Sequence, residues 1–458
     1  MSDAHRKTAR PRFAPTQRFV VVAAVVLLPI ALLEVGVPEA ASLLALAAAL
    51  LVLVAIVDAA LGMNQSGGIT ASMRRLTRLS LGRESPLEME LRATARTPRR
   101  LCVGIVASPL LGVAIEEAEV ALPAEAKAAL VSWRATPRRR GVFRIERLHA
   151  QIRSPLGLWS VRWALAVDGE VRVYPNLMTE GRKLASLFLR RPMAGWRTQR
   201  QVGRGREFEK LREYLPGDGF DEIHWKATAK RGHPVTKVFQ VERTQEIYAI
   251  VDASRLSGRR ATPDSADETD DTLLERQVNA ALALALAAER QGDHFGLMTF
   301  AERPLDFVRA KSGSAHFQAC REAMVRLQPA PLSPDFREAC TFIRARLTKR
   351  ALLVFMTSLD DPALAESFVE AIGLVARRHL VVVAAPLPRD AGPLFAGTPP
   401  ATIDAAYERL GGHVRWQGLQ DLSALLHRHG VYLALLGRDE LAAGAVSQYM
   451  ALKQRQAI

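Results

Sequence analysis

The stretch from Glu207 to Arg231, EFEKLREYLPGDGFDEIHWKATAKR, separates two parts of the chain that read in different periods. Before it, short segments alternate apolar and polar residues. After it, apolar runs of strand length alternate with longer amphipathic segments. Within it, Leu211, Tyr214 and Leu215 recur at helical spacing, and Pro216 and Gly217 stop that helix. Asp218 and Asp221 then offer caps to a second helix carrying Ile223, Trp225 and Ala229. The spacing predicts a helix, a turn and a helix joining two domains of different class.

Toward the carboxyl end, the segments 235–241, 247–251, 295–300, 352–356, 380–386 and 431–436 read as strands. Helical periods fall at 273–290, 317–327, 336–347, 364–378 and 419–429, and one more helix ends the chain. Such alternation predicts an α/β domain over 235–458, a mostly parallel sheet covered on both faces. Ligands in these folds collect at the carboxyl ends of the strands. One strand runs into Asp252, Ser254 and Ser257, another ends near Glu302, a hairpin leads to Ser312 and Ser314, and a later strand ends in Thr357, Ser358, Asp360 and Asp361. Carboxylates and hydroxyls converging from separate loops suit a hard cation such as Mg2+. Asp252, Ser254, Ser312 and Asp360 are the candidate ligands. The competing reading makes Asp252 and Ser254 caps of the following turn.

Toward the amino end, the segments between Leu87 and Tyr174 predict an all-β, sandwich-like antiparallel domain over 69–178. Its Arg138, Arg139 and Arg140 read either as a phosphate site or as a solvated edge that resists pairing. A basic stretch from Leu184 to Arg206 follows, within a linker that extends with the central signature over 179–234. Ahead of the β-rich part lie apolar runs at Phe19–Leu33 and Ala41–Leu61, a predicted transmembrane hairpin over 19–61. Arg6, Lys7, Arg10, Arg12 and Arg18 of a leader over 1–18, and Arg74, Arg75, Arg78 and Arg83, lie outside both ends. The connecting loop holds only Glu34 and Glu39, so both ends are expected on the cytoplasmic side of a multi-pass inner-membrane protein. A signal peptide is the alternative for the first run. Asp58, near the end of the second run, reads as reaching the interface or as marking an ion path.

Bulk properties narrow the classes. The chain has 458 residues, a formal charge of +15 and a sequence pI near 10.3. Basic residues beside a membrane account for that charge, and aromatics are not interleaved with them as a nucleic-acid platform requires. Three cysteines without CxxC spacing support neither a disulfide framework nor a zinc site.

Two resemblances add to this reading. The Asp252 region resembles the von Willebrand factor A domain and its metal-ion-dependent adhesion site, with Leu256 where that pattern has a second serine and Ser358 where it has an aspartate after the threonine. From Phe19 onward the chain resembles the domain of unknown function 58 family. The residues carrying this are the hairpin with Asp58, Arg139 to Gly141 with Phe143, Ser154 to Leu158, Val173 to Leu177, and the central LREY, PGD, Asp221, Ile223, Trp225 and Lys230. The resemblance implies a membrane-bound, chaperone-like adaptor whose partners are a MoxR-type AAA+ ATPase and other von Willebrand A proteins. It implies no catalytic residues.

In the central stretch, Arg212, Glu213, Tyr214, Asp218, Asp221, His224, Trp225 and Lys226 are candidate docking residues, with Trp225 as anchor. The bland alternative packs Trp225 and Tyr214 between the two domains. No GxSxG elbow, HExxH helix or P-loop is present. The expectation is therefore an adaptor rather than an enzyme. A hydrolase site around Asp221 and His224 is the alternative, and nucleic-acid binding a weaker one.

Overall fold

The computed structural model describes residues 11–36, 40–66, 68–93, 99–114, 117–122, 128–176, 202–215, 219–220, 223–240, 244–260, 271–388, 390–396, 402–437 and 440–455. Most of the basic segment 184–206, the leader residues Arg6, Lys7 and Arg10, Glu39, and Pro216 to Asp218 with Asp221 lie outside the described residues. The chain divides into two units, residues 1–176 with 266–270, and residues 177–265 with 271–458. Overall it is a mixed α/β protein.

The first unit opens with strand β1 (Arg12–Pro15), so four residues of the basic leader belong to the β-rich part. Helix α1 (Gln17–Gly36) and helix α2 (Ala40–Ser66) follow and pack on each other. Their exposed positions are mostly Val, Leu and Ile, because apolar residues occupy every face. Among the described residues, the Ala41–Asn64 segment is long and apolar enough to cross a membrane, and Gln17–Leu32 is a shorter apolar helix.

Next come β2 (Ile69–Met73), β3 (Leu76–Ser80), β4 (Ser85–Ala93), β5 (Arg99–Ile105), β6 (Glu117–Leu122), β7 (Ala128–Ala135), β8 (Gly141–Arg153) and β9 (Trp159–Tyr174). One sheet has the order β1-β9-β8-β5-β6, with β3 added in parallel to β9, and the second has the order β2-β4-β7. Strict alternation puts Leu87, Met89 and Leu91 of β4 on one face, and they share a core with Leu101, Val103, Trp133, Leu148 and Val161. Arg140 is 1% exposed, so the solvated-edge reading does not hold for this arginine.

The second unit begins with β10 (Val202–Glu213), helix α3 (Trp225–Arg231) and β11 (Val235–Gln240). The helix expected around Leu211 is therefore a strand. Arg212 pairs with Thr236 and Glu213 with Val235 in an antiparallel ribbon. The LREY spacing suits either period over so few residues, and the backbone pairing of a distant segment decides between them. The second expected helix is present, but its cap is His224, whose Nδ1 accepts the Ala227 N–H at 3.0 Å.

The sheet that follows is built from β12 (Glu246–Asp252), helix α4 (Leu273–Arg290), β13 (His294–Phe300), β14 (Pro304–Lys311), helices α5 (Ser314–Arg326) and α6 (Phe336–Arg346), β15 (Leu352–Met356), α7 (Pro362–Ala376), β16 (Leu380–Pro386), α8 (Ile403–Arg428), β17 (Val431–Leu436) and α9 (Leu441–Gln454). The order is β14-β13-β12-β15-β16-β17, parallel except for β14. Strands buried on both faces read as continuous apolar runs, as in LLVFM and LVVVAAP. One core lies under α4 and α9, with Val251, Leu284 and Tyr449. The other lies under α6, α7 and α8, with Phe336, Phe355 and Phe368. Gly296 is required where it stands, since a Cβ there would lie 2.3 Å from the Tyr248 ring. Helix α8 begins at Ile403, well before the expected Leu419, with Thr402 capping the Ala405 N–H at 3.2 Å.

Candidate functional site

The parallel order forces the ends of β12 and β15 side by side: Val251 pairs with Met356, and Asp252 and Thr357 follow. Asp252 is buried. Its Oδ1 accepts the Ser254 N–H at 2.8 Å, and its Oδ2 accepts the Thr357 hydroxyl at 2.6 Å. Burial pushes the Asp252 carboxyl up, and the donors from Thr357 and Ser254 pull it partly back. The Ser257 hydroxyl donates to the Ser254 carbonyl at 2.7 Å, so it is spent within the turn. Among the described residues, nothing hydrogen-bonds the buried Ser254 Oγ.

These contacts contain both readings made from the sequence. The bond from Ser254 to Asp252 is the turn cap. The unpartnered hydroxyl of Ser254, beside a buried carboxylate and the Thr357 hydroxyl, fits the oxygen chemistry of a hard cation. Asp360 stands differently, because its Oδ1 accepts the Ser358 hydroxyl at 2.6 Å and its Oδ2 accepts Arg259 Nη1 at 3.0 Å. A guanidinium thus neutralises the carboxylate expected as a ligand.

Ser312 is not brought to this place. Strand β14 runs antiparallel, and Lys311 pairs with Phe295, next to the start of β13. Asp252 pairs with Phe300 at the other end of that strand. Five residues of strand amount to ~16 Å. Ser312 therefore lies at the amino pole of the parallel strands, beside Glu289, Asp293 and His316 in a narrow cleft. Residue order alone groups the end of this hairpin with the carboxyl ends of the parallel strands, and the reversal of β14 carries it to the opposite pole. The loop that does reach the Asp252 turn comes after α5: the Ala330 N–H donates to the Ala253 carbonyl at 2.7 Å, and Arg255 Nε donates to the Ser333 hydroxyl at 3.1 Å. Ser333 carries no spacing signal that links it to Asp252.

The central signature exposes its large apolar side chains. Leu215, Phe220 and Trp225 are 57%, 75% and 67% exposed, and Tyr214 faces Phe220 with ring centroids 6.4 Å apart. Trp225 is thus exposed rather than part of a hydrophobic core. Arg212 and Tyr214 are partly buried, Glu213 and Lys226 exposed, and Glu213 lies 3.6 Å from His233. Because His224 Nδ1 is held as the cap of α3, a hydrolase arrangement through that nitrogen would cost the cap. Helix α8 also exposes Ile403, Tyr407, Leu410 and Val414, a stripe at helical spacing that was legible in the sequence once the helix start is known.

These elements define a class: a doubly wound α/β unit whose sheet ends in a buried carboxylate turn, preceded by a β-rich unit and two apolar helices, one of them long enough to cross a membrane. More particularly, residues 210–392 match the family described as "Protein of unknown function DUF58". Among solved structures, the chain is similar to an aerotolerance-related membrane protein from Bacteroides fragilis NCTC 9343, at 14% identity and a TM-score of 0.29, covering 45% of this chain and 98% of that one. It is similar to a conserved hypothetical protein BatB from Bacteroides thetaiotaomicron, at 14% identity and a TM-score of 0.28, with coverage of 45% and 98%. A third likeness is the SpRpn10 VWA domain, at 10% identity and a TM-score of 0.28, with coverage of 45% and 95%. No curated protein matches the chain.

Proposed function

We propose that the protein is a membrane-anchored adaptor that works with a MoxR-type AAA+ ATPase in assembly or maturation of protein complexes. Both apolar helices cross the inner membrane as a hairpin, and the bulk of the chain faces the cytoplasm. The observation that carries this reading is the exposed set Leu215, Phe220 and Trp225, within the residues that match the DUF58 family. Exposed aromatic anchors inside a charged stretch are what a docking face presents. The β-rich unit is a sandwich-like spacer and the α/β unit a von Willebrand A-like ligand-binding domain.

In that domain Asp252, Ser254 and Thr357 would hold Mg2+, which would supply a fixed positive charge for a carboxylate of the ligand. Asp252 orients the turn through the Ser254 N–H, and Asp360 holds Arg259. The chain itself is not an enzyme on this reading, and ATP hydrolysis belongs to the partner.

The test is retention of a purified MoxR-type ATPase by the detergent-solubilised full chain. Trp225→Ala should weaken retention by about 30-fold or more, the scale of a ~2 kcal/mol hot spot. Unchanged retention by Trp225→Ala would reject the docking face, and no retention by the native chain would reject the partner.

A further inference from the structure

Asp58 lies inside an apolar helix and is fully buried, and its carboxylate is held by one short turn of the β-rich unit. Oδ2 accepts the Ser154 hydroxyl at 2.5 Å and the Leu158 N–H at 3.1 Å, and Oδ1 accepts the Leu156 N–H at 2.8 Å. The turn joins β8 to β9 and closes on itself through Ser154 N–H to the Trp159 carbonyl at 2.9 Å. Trp159 Nε1 donates to the Ala55 carbonyl of α2 at 2.9 Å. The start of the chain is tied to the same place, since the Thr16 hydroxyl donates to the Gly157 carbonyl at 2.6 Å and Phe19 stacks on Trp159 at 5.4 Å. Gly62 removes any slack further along α2. A Cβ there would stand 3.2 Å from both Ser154 Cβ and Val161 Cγ2. The helix thus meets the β-rich unit before its apolar segment has ended.

The depth of this junction follows from helix geometry. At ~1.5 Å per residue, Asp58 lies ~26 Å along α2 from Ala41, within a hydrocarbon core ~30 Å thick. A carboxylate at that depth needs donors, and the turn supplies them from main chain and side chain. Leu156 at the tip is 57% exposed. Phe13 and Phe19 gather on Trp159 of the same turn, with Phe13 edge-on at 6.4 Å. Arg18 lies over Gly157, whose Cβ would be 3.3 Å from its Nη1. Aromatic rings with a neighbouring arginine are the residues that settle at a bilayer interface.

We infer that the Ser154–Trp159 turn is itself a lipid-contacting surface, latched to Asp58 so that the β-rich unit sits in the headgroup layer as one body with the helices. Leu156 points the turn into lipid, and Asp58 sets its depth. This rests on the membrane reading above.

The experiment uses the full chain with Cys102→Ser, reconstituted in vesicles of phosphatidylcholine and phosphatidylglycerol. An environment-sensitive fluorophore is placed in turn at Leu156→Cys, Leu46→Cys in α2 and Leu130→Cys on β7. Quenching by iodide in water is compared with quenching by lipids that carry a nitroxide near the headgroup. Labels at 46 and 156 should be quenched several-fold better by the lipid nitroxide, and the label at 130 by iodide. Adding Asp58→Ala, or the milder Ser154→Ala, should move the label at 156 to the iodide class and leave 46 unchanged. If 156 behaves like 130 while 46 stays in lipid, the inference fails and the membrane reading stands. If 46 also responds to iodide, the membrane reading itself fails. Quenching of 156 by neither agent means protein covers the turn and overturns the inference. Lipid quenching of 156 that survives both Asp58→Ala and Ser154→Ala overturns the latch.

Discussion

Replacing Asp252 by asparagine separates the two roles its geometry allows. In the fold the carboxyl is pushed up by burial from an unfolded value of ~3.9. A group raised in this way gives its full stability below the unfolded value and loses it as pH rises through the folded one. Ionising this buried side chain without metal is therefore a cost to the fold. Asparagine keeps an acceptor for the Ser254 N–H and can donate to the Thr357 hydroxyl, so Asp252→Asn should match or exceed the native chain in stability at pH 7. The difference should shrink as pH falls toward 4. Asp252→Ala instead orphans two buried donors at ~1–3 kcal/mol each. At ~2–4 °C per kcal/mol for a domain of 150–250 residues, the transition should fall by about 4–24 °C. Magnesium reverses the order of native and asparagine forms if the site is real. At a hundredfold excess over Kd it adds ~2.7 kcal/mol to the native chain and nothing to Asp252→Asn. The assay is thermal unfolding together with hydrogen exchange of β12 and β15, with Mg2+ and with chelator. Identical native curves under both conditions would refute the metal reading, and a less stable Asp252→Asn without metal would refute the burial argument.

Three further outcomes follow from the same contacts. Asp293 accepts Tyr449 Oη at 2.5 Å and Lys453 Nζ at 2.6 Å, tying α9 to the sheet; Asp293→Ala should cost ~3–5 kcal/mol and raise hydrogen exchange in α9, while Tyr449→Phe should cost far less. Cys320 and Cys340 are pushed up by burial to about 12, so neither should react with iodoacetamide at pH 8 until the chain unfolds, whereas half-buried Cys102 should react more readily. Ser312→Ala should leave any magnesium stabilisation unchanged, as measured by the shift of the thermal transition, because Ser312 stands at the far pole of the sheet.

Much of this protein was legible from residue order alone. The change of period near the central stretch separated a β-rich part from an alternating α/β part, because period 2 and period 3.6 follow from local geometry. Runs such as LLVFM announced strands buried on both faces, and apolar residues on every side of α2 announced a helix with no polar face. The carboxylate and hydroxyl at the strand ends, Asp252 and Thr357, were visible for the same reason. What residue order left open depended on which segments meet. Leu211 to Tyr214 became strand through pairing with Thr236 and Val235, contacts made across a turn and a helix. Ser312 left the site because β14 reverses direction, which a one-dimensional pattern does not record. Trp225 proved exposed, since solvent access is a property of the assembled surface. Asp58 found its donors in Ser154, Leu156 and Leu158, roughly a hundred positions away, and such a distance is closed only by the tertiary fold.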